Sequence, residues 1–109
     1  MSRTYIQKLQ NRLRTYHKDN PATPDAIVTL DKMSKYEGRG MKTPHMVVCD
    51  SGDILLEFFG PKRRLGLVLD PKSAESSWFL ILMPLTTDSG WIKDTPNYDD
   101  LVRRFLQDT

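Results

Sequence analysis

The chain has 109 residues, of which 39% are hydrophobic and 28% charged, with 16 basic and 14 acidic side chains and a single cysteine. That length holds one domain over residues 1–109 with one core, the composition is globular rather than disordered, and one cysteine excludes an internal disulfide. The longest apolar run, Trp78 to Leu85, is far short of the ~20 residues a bilayer span needs, and MSRTYIQKLQNRLR has no apolar secretory core, so a reducing, cytoplasmic setting without membrane attachment is expected.

Ile6, Leu9, Leu13 and Tyr16 recur at helical spacing and predict a first helix over 3–17. Thr23-Pro24-Asp25 then reads as a helix opening, with Thr23 as cap, Pro24 in the first turn and Asp25 at the positive end. Ala26, Ile27, Leu30 and Met33 form the buried side of this second helix, and Gly38 is placed to end it. From His45 the period changes to two. Strands are predicted over 45–49, 54–59, 64–69 and 78–83, with turns at Asp50-Ser51-Gly52-Asp53 and Gly60-Pro61-Lys62-Arg63. Residues 84–94 read as irregular. Thr95-Pro96 opens a last helix whose Tyr98, Leu101, Val102 and Phe105 share one face. The expected fold is α+β: two N-terminal helices, a four-stranded antiparallel β-meander and a C-terminal helix, in the order ααββββα.

The predicted sheet is apolar on both sides. In the second strand Ile54, Leu56 and Phe58 oppose Leu55, Glu57 and Phe59, and in the fourth Trp78, Leu80 and Leu82 oppose Phe79, Ile81 and Met83. A sheet covered on one face should instead alternate apolar and polar residues. Either the helices are divided between the two faces, or one face is a contact surface for a partner or a second copy. The fourth strand would moreover lie at an apolar edge, which proteins usually cover.

Charge is uneven along the chain. Residues 1–49 carry nine basic against four acidic side chains, and the remainder seven against ten. On the first helix Arg3, Gln7, Gln10, Arg14 and Lys18 fall within an arc of ~80°, a face suited to phosphates or to an acidic protein surface. The Gly38–Lys42 loop, with Arg39 and Lys42, and the Lys62-Arg63-Arg64 turn add two more basic spots. A sequence pI near 8.8 is modest for a nucleic-acid binder. Trp91, in a polar glycine-containing loop, is the better contact candidate of the two tryptophans.

Arrangements that could carry catalysis fall short. His45 and Cys49 are separated by roughly 13 Å along a strand, a structural zinc needs four ligands, and a buried structural cysteine is the expected role. Asp53 with Asp70-Pro71-Lys72 is superficially similar to the carboxylate pattern of metal-dependent nucleases, but Pro71 would break the strand that pattern requires, so a turn is expected. Gly38-x-Gly40 lacks the spacing of a phosphate-binding loop. No cofactor, metal or enzymatic activity is expected.

In size and in this lack of reactive groups the chain resembles the small stand-alone proteins of phages and mobile elements, which commonly act by occluding a surface of a host protein. That resemblance implies a non-catalytic protein–protein interaction module, an inhibitor or accessory protein, whose partner is a larger protein or complex. A homodimer through the apolar sheet face is one form of this expectation. The alternative is a nucleic-acid binder. The candidate contact residues are Arg3, Gln7, Arg14, Lys18, Arg39, Lys42, Lys62, Arg63 and Trp91.

Overall fold

A computed structural model of the chain describes residues 3–83, 86–95 and 97–107. Three helices, α1 (Arg3–Tyr16), α2 (Thr23–Ser34) and α3 (Asp99–Leu106), flank five strands, β1 (His45–Val48), β2 (Ile54–Phe59), β3 (Arg63–Leu69), β4 (Ser77–Leu82) and β5 (Thr86–Trp91). The strands pair in sequence order as one antiparallel sheet. The α+β class and the meander follow the sequence expectation, and the strand count is five rather than four.

The fifth strand lies where residues 84–94 read as irregular. Thr-Thr-Asp-Ser-Gly-Trp has no apolar alternation, so its strand character comes from pairing with β4. Gly90 is part of the reason it fits. Trp78 stands opposite it, and a Cβ on Gly90 would lie 2.8 Å from the indole. β5 also removes β4 from the edge and replaces an apolar edge with a polar one.

The helix ends differ from the sequence reading in their capping atoms. Thr23 does not cap α2. Its hydroxyl donates to the His17 carbonyl at 2.6 Å, while the Asn20 side chain accepts the Ala22 N–H at 2.8 Å. Beyond α2 a 3-10 turn spans Glu37–Arg39, and the residue with positive φ is Gly40 (102°), not Gly38. Before α3 the Asn97 carboxamide accepts the Asp99 N–H at 2.9 Å, and Pro96 lies outside the described residues. Asp70 forms the expected turn, its carboxylate accepting the Lys72 N–H at 2.7 Å.

One core holds the fold together. From the sheet it takes Ile54, Leu56, Phe58, Leu65, Leu67, Leu69 and Leu80, and from the helices Ile6, Leu9, Leu13, Ala26, Leu30, Met33, Leu101, Val102 and Phe105. The strand residues in it alternate, so they all point to one side, and every helix packs there. The helices are therefore not divided between the two faces. Tyr16, expected on the buried stripe of α1, is instead exposed.

Candidate functional site

Among the described residues, no helix lies on the opposite face of the sheet. Its residues form three rows across the strands: Val47, Leu55, Val68, Ser77 and Trp91; His45, Glu57, Gly66, Phe79 and Ser89; and Phe59, Arg64, Ile81 and Thr87. Val47, Phe59 and Trp91 are 38%, 51% and 50% exposed, and Leu55, Val68, Phe79 and Ile81 are half-buried. The contrast with Leu56 and Leu67, both at 0%, lies between neighbours in the same strands.

A glycine shapes this open face as well. Gly66 stands opposite Phe79, and a Cβ on it would lie only 2.0 Å from the phenyl ring. The ring thus rests on β3 backbone, possible only because Gly66 has no side chain. At one end Arg64 lies over the Phe59 ring at 5.0 Å and reaches Glu57 at 3.4 Å, with His45 tilted against the same ring at 6.4 Å. At the other end Lys93 stands 6.0 Å from the Trp91 ring. The face is an apolar band with cations at both ends.

The residues singled out from sequence separate into groups. Trp91 joins the open face. Lys42 and Lys62, from two loops distant in sequence, and Arg63, the first residue of β3, line one pocket of about 370 Å³ with Phe58, Phe105 and the end of α3. The loop that carries Lys42 is fixed by Met41, which is buried, and by Tyr36, whose hydroxyl bonds the Asp99 carboxylate. Burial and then that bond push the Tyr36 pKa up to about 12. Arg63 donates to the Arg104 carbonyl near the end of α3 at 3.4 Å. Arg39 lies over the Tyr36 ring at 5.5 Å and lines a neighbouring groove with Asp99 and Asp100.

The basic arc of α1 is not a continuous solvated stripe. Gln7 and Arg14 are exposed, and Arg14 bonds Asn11 within the helix at 3.2 Å. Gln10 is buried, and its amide donates to the Ile27 carbonyl of α2 at 3.0 Å. A wheel places polar residues by angle only and cannot show that one of them spans a helix–helix seam. The side chain of Arg3 lies outside the described residues. Lys18 sits in the α1–α2 turn beside Asn20, which approaches Gly52 at the start of β2, whereas Lys62 and Arg63 follow its end. The length of β2, roughly 20 Å, separates them.

Cys49 is half-buried rather than buried, and among the described residues no group of three or more His, Cys, Asp and Glu side chains converges as a metal site. No described helix is long and apolar enough to cross a membrane. Compared with family models, with curated proteins and with solved structures, the chain matches none.

Proposed function

We propose that this protein is a non-catalytic interaction module that docks onto a larger protein or complex with the open face of its sheet. The observation that carries the reading is the uncovered apolar band of Val47, Leu55, Val68, Phe79, Ile81, Phe59 and Trp91, on the side of the sheet away from all three helices. Large apolar side chains gathered on an open sheet face favour a contact site, and exposed aromatic residues are frequent binding hot spots. Edge strand β5, with Asp88 and Ser89 in its middle, favours contact through the face over extension of the sheet by another strand. Action as an inhibitor or accessory protein of phage type, by covering a host surface, fits this mode of binding.

The test is capture from the native host with the wild-type chain and with Val47→Asp/Ile81→Asp, beside Gln7→Glu/Arg14→Glu as a control on the other side of the fold. The reading expects a specific protein retained by wild type and by the helix variant and lost by the sheet variant. Retention by the sheet variant would refute it. A homodimer would appear as an Ile81-dependent increase in sedimentation coefficient with concentration.

A second reading is favoured by one observation: Phe59, Phe79 and Trp91 lie on a sheet face with Arg64 and Lys93 beside them, an arrangement on which single-stranded bases can stack. It expects anisotropy of labelled single-stranded RNA or DNA that falls steeply between about 50 and 200 mM salt. Absence of binding at the lower salt removes it.

A further inference from the structure

The pocket at the β2–β3 turn adjoins one end of the docking band, sharing Phe59 with it, and makes a different chemical demand. Its floor is apolar: Phe58 and Phe105 are 3% and 7% exposed and belong to the core, with Leu106 and Phe59 beside them. Its rim is cationic, with Lys42 and Lys62 arriving from two different loops and Arg63 from the start of β3, and among the described residues no carboxylate lines it. Its volume of about 370 Å³ is within the range of small-molecule sites.

Two structural explanations for the cations have to be weighed. The end of α3 attracts positive charge, and Arg63 answers it by bonding the Arg104 carbonyl. A helix C-terminus carries only about half a negative charge, however, and Arg63 already answers it. Lys42 and Lys62 are exposed and could be ordinary solvated lysines. Their convergence over an apolar floor is what sets them apart. Gly60 packs beside this floor, and a Cβ there would come within ordinary contact of the Phe105 ring edge, at 3.4 Å.

A neutral apolar ligand would leave the lysines unused, and a bare inorganic anion would leave the aromatic floor unused. We propose that this pocket binds a small organic anion, with its ring or short chain on Phe105 and Leu106 and its charged group between Lys42 and Lys62. Such binding is independent of the docking reading.

The experiment is an NMR titration of the full ¹⁵N-labelled chain with benzoate, phenyl phosphate, inorganic phosphate and benzyl alcohol. Saturable shifts of the Gly40, Gly60, Leu106 and Gln107 amides are expected with at least one of the two aromatic anions. Affinity should be about tenfold or more above that of inorganic phosphate or benzyl alcohol, and Lys42→Ala/Lys62→Ala should weaken it about tenfold. Both lysines are exposed, so this variant folds. Absence of saturable shifts with both aromatic anions overturns the proposal. Equal affinity for inorganic phosphate means an adventitious ion only and overturns it, as does binding that the lysine variant leaves unchanged. Val47→Asp/Ile81→Asp touches none of the pocket, so the two readings can fail separately.

Discussion

The two faces of this sheet are built from the same strands and both carry large apolar side chains, yet these have opposite fates. Leu56 and Leu67 are sealed under the helices, while Leu55 and Val68, their immediate neighbours, remain half-open to solvent. Each face also contains one glycine lying under an aromatic ring, Gly90 under Trp78 inside and Gly66 under Phe79 outside. Inside, that pairing helps to close a core. Outside, it lets Phe79 lie against the β3 backbone on the face that no described helix covers. Apolar content alone therefore does not identify a core; which side the helices occupy does.

The largest difference between the faces should appear on truncation. Leu67→Ala leaves a cavity in the sealed core and is expected to cost about 2–5 kcal/mol in chemical denaturation. Val68→Ala, one residue along and on the open face, should cost well under half as much. Similar losses at the two positions would mean that the outer face is also packed.

Gly66→Ala is the next sharper test. Its methyl group collides with Phe79, which must leave its place over β3, for an expected loss of about 1–3 kcal/mol. Phe79→Ala should remove most of that penalty in the double variant, a coupling that a thermodynamic cycle reads directly.

How far these contrasts were legible in sequence depends on the element. The inward residues of β2 and β3 follow from their period of two, and the α3 face from Tyr98, Leu101, Val102 and Phe105. That both sides of the sheet are apolar was equally readable, but its meaning was not, because the placement of helices is a property of the assembled fold. β5 escaped notice because a strand of Thr, Asp, Ser and Gly is defined by its neighbour rather than by its own pattern. Gln10 was misplaced because its chemistry is that of a surface residue and its partner, the Ile27 carbonyl, is 17 residues away. The meeting of Lys42 with Lys62 and Arg63 could not be read from spacing, since the loop and the turn come together in the assembled fold, beside the end of α3.

Smaller effects come from the ties that hold the sheet to the helices. The Arg104 guanidinium, 2.9 Å from Asp88, holds that carboxyl below the usual carboxylate range, with the Ser89 N–H adding to it. The carboxyl pKa is lowered in the folded state, so the tie contributes above the unfolded value of about 4 and is lost as pH falls through the folded one. Asp88→Asn should therefore flatten the acid limb of the stability curve, its small cost being present at neutral pH and fading as pH falls below about 4. Tyr36 behaves in the opposite sense. Its raised pKa makes its contribution complete below about pH 10 and lost towards pH 12, so it should be the late component in an absorbance titration of tyrosinate.

In the proposed function the open face is where a partner sits, and methyl NMR of the chain with and without its captured partner tests this most directly. Shifts or broadening confined to Val47, Leu55, Val68 and Ile81, with Leu56, Leu67 and Leu80 unmoved, are the predicted result. Perturbation centred on the α1 methyls of Ile6, Leu9 and Leu13, with the open face silent, would contradict it.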